Sequence, residues 1–196
     1  IRVLGARRAL VNGSGQPSSK TLAYAYGTQY AQTIQPGGAY EFVNFNFQGE
    51  EGTETMYGVN GVDNAFEFDG TNFTEIRTGI EVDTPNHIEA YKNHLFVSYT
   101  SGKIVNSGLQ LPTIFSTIMG SDDILVGDSV TGISVESKDA LVIFGRNNTY
   151  VLYGTSTDDW NLTTFYTGAG AVDGTVEKMQ TTIFLDDRGL TSLGAT

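Results

Sequence analysis

The sequence predicts an all-β protein assembled from β-propeller-type blades of short antiparallel strands. Tyr, Phe, Thr, Val and Ile, which suit the pleated surface of a sheet, fill the spaces between single glycines. Short strand-like runs recur about every 8 to 12 residues, with turn residues between them. A weaker similarity recurs at about 40 to 50 residues, which is the length of a four-stranded propeller blade. No long run has the spacing of apolar residues that a helix needs.

The beginning of the chain differs from the rest. Positive charge is concentrated there, at Arg2, Arg7 and Arg8, and the stretch that follows is rich in Gly and Ser. This composition favours a flexible polar loop. We therefore divide the chain into a flexible N-terminal segment, residues 1–20, and a propeller-like region, residues 21–196. Because the sequence begins with Ile rather than Met, we expect it to be part of a longer chain.

Five strands are expected in the first part of the propeller-like region. In the stretch 40–47, aromatic and polar residues alternate, which indicates a strand with one buried face. The pairs Asn60-Gly61 and Asp69-Gly70 are strong turn signals. The expected strands are 21–26, 40–47, Thr55–Val59, Ala65–Phe68 and Phe73–Ile76.

The longer repeat is carried by three segments of similar pattern: residues 89–98, 137–144 and 178–185. Each has a polar lead-in, an apolar strand, a turn with Gly, Asn or Asp, and a second strand. Leu95 and Leu141 are 46 residues apart, and Leu141 and Ile183 are 42 residues apart. One such sheet cannot bury both its faces alone, whereas radial stacking of several sheets hides those faces. A β-sandwich of irregular hairpin pairs stays open as the alternative.

The residue inventory excludes several classes of site. The chain of 196 residues has no cysteine, which excludes disulfides, thiolate metal sites and thiol nucleophiles. Eleven Lys and Arg stand against 22 Asp and Glu, and the resulting net charge of −11 argues against binding to the nucleic-acid backbone. No apolar run approaches the roughly 18 residues of a membrane-spanning helix. Phosphate-binding glycine motifs and a G-x-S-x-G elbow are also missing.

Two histidines are the first candidates for a metal site. His87 and His94 lie seven residues apart beside an expected strand start, and Asp83 and Glu89 are the carboxylates closest to them in sequence. A pair of histidines does not complete a metal site without such help. We interpret both as surface or loop histidines, and we predict no metal, no cofactor and no catalytic residue.

Four pairs of adjacent acidic residues lie at expected turns: Glu50-Glu51, Asp122-Asp123, Asp158-Asp159 and Asp186-Asp187. Glycoside hydrolysis needs two carboxylates that face each other across a cleft, whereas neighbours in a turn point apart. Clustered oxygens suit Ca²⁺, but none of the pairs has the spacing of a calcium-binding loop. We interpret the pairs as solvated turn residues. Calcium at a turn and glycoside hydrolysis remain alternatives.

The single tryptophan, Trp160, follows one of these acidic pairs in a loop between expected strands. Such a residue is either a platform on which a ligand stacks or a side chain that packs against a neighbouring blade or subunit. Together with Arg2, Arg7 and Arg8, it completes our set of expected partner-binding residues.

An ordered series of motifs resembles a known family. The series is NHLFVS (93–98), LPTIF (111–115), GDSVTGI (127–133), DALVIFGRNNTYVLYG (139–154), DWNL (159–162), GAGAV (168–172) and TIFLDDRG (182–189). Over about residues 55–196 it resembles the propeller of bacteriophage tail proteins of the tail tubular protein B type, also called the nozzle. Whole proteins of that type are several times longer than this chain.

The resemblance implies a structural role in the virion, within the phage tail, and no enzymatic activity. Such proteins form rings, usually sixfold, beneath the portal and adaptor of short-tailed phages, where they extend the DNA-exit channel and hold fibres or spikes. The implied partners are further copies of the chain, portal or adaptor proteins, and tail fibre or spike proteins. DNA would pass without specific binding, and a net acidic channel wall, which repels DNA, agrees with this.

Within such a ring, we expect Arg2, Arg7 and Arg8 to dock an acidic neighbour. A carbohydrate- or surface-binding β domain of a bacterial protein stays open as the alternative function, and an enzyme on a propeller scaffold as a third.

Overall fold

The chain folds into consecutive antiparallel sheets with almost no helix. A computed structural model describes residues 20–22, 32–137 and 139–194. These ranges contain seventeen strands and one short 3₁₀ helix, Thr117–Met119. Nothing helical in them has the length and apolar character needed to cross a bilayer.

Four of the sheets follow one another along the sequence, and we call them blades 1 to 4. Blade 1 consists of β3 (Glu41–Phe45), β4 (Thr55–Val59), β5 (Ala65–Phe68) and β6 (Phe73–Ile76). Blade 2 consists of β7 (His87–Tyr91), β8 (His94–Ser98), β9 (Lys103–Asn106) and β10 (Asp123–Leu125). Blade 3 consists of β11 (Val130–Ser137), β12 (Ala140–Gly145), β13 (Asn148–Tyr153) and β14 (Asn161–Thr167).

Blade 4 has three strands, which are β15 (Glu177–Lys178), β16 (Thr182–Asp186) and β17 (Gly189–Ser192). A separate two-stranded ribbon pairs β1 (Lys20–Leu22) with β2 (Gln32–Ile34). In every blade the strands pair in sequence order, and every pair is antiparallel.

Most of the strands expected in blade 1 are confirmed. The strands Thr55–Val59, Ala65–Phe68 and Phe73–Ile76 have the predicted bounds. The stretch 40–47 forms the shorter strand β3, and Lys20 already belongs to β1, so the strand expected at 21–26 begins one residue earlier. Residues 23–31, where that strand was expected to continue, lie outside the described ranges.

The two turn signals act through their side chains. Asp69 Oδ1 accepts hydrogen bonds from the backbone N–H of Thr71 and Asn72, both at 2.7 Å, which closes the turn between β5 and β6. Asn60 Oδ1 accepts from the backbone N–H of Val62 and Asp63. The link between β4 and β5 is therefore a longer Asx-stabilised loop and not the two-residue hairpin that an Asn-Gly pair favours.

Three separate apolar cores lie between successive blades. Side chains alternate across each strand, so one face of a blade packs on the preceding blade and the other face on the following one. In β8, Leu95 and Val97 belong to the core shared with blade 1, whereas Phe96 belongs to the core shared with blade 3. In β12, Leu141 faces blade 2 and Phe144 faces blade 4.

This serial stacking is the arrangement of a β-propeller with an incomplete set of blades. A sandwich would have one core between two sheets, whereas here each interior blade is covered on both faces. The predicted fold class is therefore confirmed. One detail of the predicted repeat was wrong. Leu95 and Leu141 occupy equivalent positions, since each faces the preceding blade. The equivalent residue of β16 is Phe184, which packs towards blade 3, and not its neighbour Ile183.

Candidate functional site

The first strands of the blades run side by side and leave a groove between them. Strand β7 contacts β3 on one side and β11 on the other. The groove has a volume of about 440 Å³ and also reaches the segment that leads into β15, so that all four blades contribute to it. We call it the inner groove. Its polar and aromatic lining consists of Tyr40, Glu41, Phe42, Glu89, Ser134, Glu177 and Lys178.

A glycine allows blade 4 to approach this groove closely. Gly132 lies in β11, and a Cβ atom there would be 2.6 Å from Cγ2 of Val176, which immediately precedes β15. Any larger residue at position 132 would therefore push the entry to blade 4 away from blade 3.

His87 connects three parts of the chain at this inner edge. Its side chain is only 3% exposed, and Nδ1 is 2.7 Å from Oε1 of Glu41 in blade 1. Nε2 is 3.4 Å from Oδ1 of Asp173, which lies in the connection from blade 3 to blade 4. The imidazole is thus hydrogen-bonded to blade 1 through Nδ1, whereas Nε2 lies near Asp173 without a hydrogen bond.

Glu89 is the most buried carboxylate of the inner groove. Burial raises its pKa, hydrogen bonds from the backbone N–H groups of Ala90 and Val135 oppose this rise, and the nearby charge of Glu41 adds to it. The Ala90 bond has a length of 3.0 Å. The side chain is therefore fixed in orientation while its charged form is disfavoured.

Glu136 and Lys178 join blades 3 and 4 beside the groove. Lys178 Nζ is 2.6 Å from Glu136 Oε2, which also accepts hydrogen bonds from the hydroxyl and backbone N–H of Thr182. Burial acts to raise the pKa of Glu136, but the hydrogen bonds from Lys178, Thr182 and Thr181 together lower it. Glu136 is therefore held in its charged form as a link between blades.

The inner groove offers carboxylates, one ammonium group and aromatic faces, which suits hydrogen bonding and charge pairing. Within the described ranges, no group of three or more His, Asp or Glu residues is arranged to hold a metal ion. Of the carboxylates considered as helpers for a metal, Asp83 accepts hydrogen bonds from the N–H and hydroxyl of Thr78 and from the hydroxyl of Tyr99, each at 2.7 Å. Asp83 thus closes a loop and does not face a histidine.

The interpretation of the two histidines as surface or loop residues was wrong. His87 and His94 begin the paired strands β7 and β8, and both side chains are buried. His94 Nδ1 donates to the carbonyl of Ser107 at 2.6 Å, and its ring packs edge-on against Trp160. The sequence signal that would have indicated this is the continuous apolar run Leu95–Val97, which is typical of a strand buried on both faces.

The acidic pairs act mostly as turn residues, as predicted. Asp159 Oδ1 accepts from the backbone N–H of Thr155 and Ser156, both at 2.8 Å, and these bonds lower its pKa. Asp186 is an exception to the prediction that these carboxylates are solvated, because it is only 7% exposed. Hydrogen bonds from the Arg188 side chain lower its pKa.

The expected partner-binding residues are distributed differently. Arg2, Arg7 and Arg8 lie outside the described residues. Trp160 lies between blades 2 and 3, where its ring centroid is 5.6 Å from those of both His94 and Phe96. It therefore packs against a neighbouring blade, which is one of the two roles left open by the sequence, while a role in partner binding stays a prediction.

The sequence did not indicate a second cavity, nor the two carboxylates that lie close to His87. The cavity, of about 370 Å³, lies between blade 1 and the loop after β9, with Tyr57, Glu67 and Pro112 in its lining. Glu41 and Asp173 meet at His87 although they lie 132 residues apart. No local pattern marks either residue, because only the stacking of the blades brings them together.

Comparison with known proteins gives few matches. No family model matches the chain, and no curated protein matches it. Among solved structures, it is similar to BBS1N in complex with ARL6DN, soaked with lead, at 8% identity and a TM-score of 0.49, covering 93% of this chain and 54% of that chain. It is also similar to the same complex soaked with mercury, at 7% identity and a TM-score of 0.47, covering 93% of this chain and 55% of that chain. The chain spans about half the length of these solved chains.

Proposed function

We propose that this chain is a non-catalytic structural component of a bacteriophage tail, with a nozzle-type role in the wall of the DNA-exit channel. The observation that carries the proposal is the position of the motifs that resemble the nozzle family. The motif 139–154 coincides with β12 and β13, and 182–189 with β16 and the start of β17. Their apolar residues pack one blade on the next, which is what a wall component requires.

The charge distribution supports the same role. All 22 acidic residues lie between Glu41 and Asp187, whereas the residues before Glu41 include four Lys and Arg and no acid. An acidic body repels the DNA backbone and favours passage over binding. The basic beginning of one copy complements the acidic body of another, so Arg2, Arg7 and Arg8 are assigned to contacts between copies or with a portal or adaptor protein.

Light scattering and sugar retention test this function together. The purified chain is expected to form an oligomer of one defined mass, several times the 21.1 kDa of a single chain, and to pass through immobilised sugar matrices unretained. Oligomerisation depends on protomer concentration, so the mass is measured over a dilution series. Sugar-dependent retention of a monomer would instead favour the carbohydrate-binding alternative, and a monomer without retention would contradict the structural role.

Charge reversal tests the assigned basic contacts. Replacing Arg2, Arg7 and Arg8 by Glu is expected to reduce the mass of the assembly at low salt, because it places like charges against the acidic body. The matched control is Arg77→Glu, because the Arg77 side chain is 76% exposed directly after the last strand of blade 1. An unchanged mass in the triple variant would remove these arginines from the contact.

A further inference from the structure

His87 is a buried imidazole with a single hydrogen bond. Its side chain is 3% exposed, and Nδ1 lies 2.7 Å from Oε1 of Glu41. Because an ionised carboxylate only accepts hydrogen bonds, this contact places the proton of the neutral ring on Nδ1. Nε2 then carries a lone pair, and among the described residues it has no hydrogen-bond partner. The neutral ring therefore leaves one buried acceptor unused, which is uncommon in folded proteins.

A second carboxylate faces this nitrogen. Oδ1 of Asp173 is 3.4 Å from Nε2 of His87, which is longer than the usual hydrogen-bond length of about 2.7 to 3.2 Å. While the ring is neutral, both atoms are acceptors and cannot bond to each other. A proton on Nε2 turns the same two atoms into a donor and a charged acceptor, which attract each other strongly. The Asp173 side chain is 69% exposed and has no other ion pair within the described ranges, so it can close the remaining distance.

Asp173 lies in a turn that is attached to blade 4. The backbone N–H of Thr175 closes the turn by donating to the carbonyl of Val172 at 3.2 Å. The backbone N–H of Val172 donates in turn to the carbonyl of Leu185 in β16 at 2.8 Å. A bond between the imidazole and Asp173 would therefore join blade 2 to blade 4, two blades that are not neighbours in the stack. The bond at Nδ1 extends the same link to blade 1.

We propose that His87 is a pH-sensitive link, which takes up a proton at Nε2 in mildly acidic solution and then bonds to Asp173. Histidine is the side chain that ordinarily changes its charge between about pH 5 and pH 8. The neutral ring is bonded to blade 1 alone, whereas the protonated ring holds blade 1 and the entry to blade 4 together. All the groups belong to one chain, so this link goes beyond the proposed tail function and stands without it.

The strands packed around His87 carry few other titratable groups. Apart from Glu41, those on β7 and on the strands packed against it are Tyr57 in β4, Glu89 and Tyr91 in β7, His94 in β8 and Glu136 in β11. In the described part of the chain, none of them is hydrogen-bonded or ion-paired with His87. Lys178 is paired with Glu136. Glu89 adds a pH dependence of its own, because burial raises its pKa, so the decisive quantity is the coupling between positions 87 and 173.

Urea titration of Asp173→Asn and the wild type at two pH values provides the first test. At about pH 5.5 the variant is expected to have an equilibrium constant of unfolding about two- to fivefold higher, the range of partly exposed ion pairs. At about pH 8 no loss of stability is expected, because the neutral ring has no proton on Nε2 to donate. Asp187→Asn is the matched control. Asp187 is 79% exposed and paired with Arg146, whose charge does not titrate, so its effect is expected to be equal at both pH values.

Imidazole ¹⁵N NMR provides a second readout that does not depend on unfolding. The chain has two histidines, and His94 lies at the opposite end of the paired strands β7 and β8, bonded to the carbonyl of Ser107. In Asp173→Asn, the change of the His87 signals on acidification is expected to shift to lower pH than in the wild type. The response of His94 is expected to be the same in both proteins.

The two readouts decide together. A loss of stability confined to acidic solution, with the shifted response of His87, supports the link. An effect of Asp173→Asn that is equal at both pH values overturns it, as does a His87 response that the variant leaves unchanged. The mass of the assembly tests the tail function separately, so either proposal can fail while the other stands.

Discussion

The core between blades 2 and 3 and the inner groove are built from the same strands by different chemistry. Strand β7 places Tyr91 in the core, where it belongs to a cluster of rings with Phe96 and Trp160. The same strand places His87 and Glu89 at the inner edge, among carboxylates and one lysine. The core contacts depend on shape and burial, whereas the groove contacts depend on charge. Substitutions in the core should therefore change stability at every pH. Substitutions in the groove should mainly change how stability depends on pH and salt.

Removal of a ring from the core should have the largest effect. Phe96 is fully buried between Tyr91, His94 and Trp160, so Phe96→Ala leaves a cavity that the stacked blades cannot close by a local shift. We expect a loss of about 3 to 5 kcal/mol in the free energy of unfolding. Urea titration followed by far-UV circular dichroism measures it.

Trp160 adds a local probe to this experiment, because it is the single tryptophan of the chain and touches the Phe96 ring. Its emission is expected to shift to longer wavelength in Phe96→Ala before global unfolding. Phe165→Ala, at a position that is 45% exposed in β14, is the matched control and should cost much less. Equal losses for the two variants would show that this core does not carry the stability of the blades.

The core was largely predictable from the sequence because its strands are short, mainly apolar runs between turn residues. The strands Thr55–Val59 and Ala65–Phe68 have the expected bounds, and the spacing of Leu95 and Leu141 gives blades of the observed length. The error at Ile183 has a physical origin: a shift of one residue moves a side chain to the other face of a sheet. The similarity between the three repeated segments is too weak to reveal a shift of one residue.

A steric substitution at the border of core and groove should have an intermediate effect. Gly132→Ala places a Cβ atom 2.6 Å from Cγ2 of Val176, so the connection into blade 4 must move. Overpacking of this kind costs about 1 to 3 kcal/mol, which denaturant titration resolves. The double variant Gly132→Ala, Val176→Ala removes the Cγ2 contact but keeps the Cβ atom of residue 176, which is 2.9 Å from the new methyl group, so it is expected to recover only part of the loss. An additive double variant would mean that the two sites do not share this contact.

The inner groove was not predictable in the same way. Glu41, His87 and Asp173 come from blade 1, blade 2 and the entry to blade 4, so their meeting depends on the angle between stacked sheets. No spacing rule relates residues across three sheets. The carboxylate pairs of the turns are adjacent in sequence and therefore easy to recognise, whereas the two carboxylates close to His87 are far apart along the chain.

Glu89→Gln should reveal the groove through the pH dependence of stability. Burial raises the pKa of Glu89 in the folded chain, so its favourable contribution is complete below the unfolded pKa and is lost as the pH rises through the folded value. Gln keeps an acceptor for the N–H of Ala90 and has no charge to bury. The variant should therefore gain stability relative to the wild type as the pH increases from acid to neutral.

Thermal unfolding over a pH series measures this difference between Glu89→Gln and the wild type. Glu177→Gln, at an exposed position of the same groove, is the matched control and is expected to keep the wild-type profile. Parallel profiles for Glu89→Gln and the wild type would show that burial of the Glu89 charge has no measurable cost.

The smallest effect is expected where the groove reaches solvent, at the pair of Lys178 and Glu136. Lys178→Met removes a 2.6 Å contact whose lysine side chain is 40% exposed, and partly exposed ion pairs contribute about 0.2 to 1 kcal/mol. Glu136 keeps its hydrogen bonds from Thr181 and Thr182, so the two blades stay linked. Salt screens the pair in the wild type but not the apolar variant, so the difference should shrink between low and high salt in urea titrations. A loss of stability as large as that of Phe96→Ala, or one that does not depend on salt, would contradict the distinction between a groove held by charge and a core held by burial.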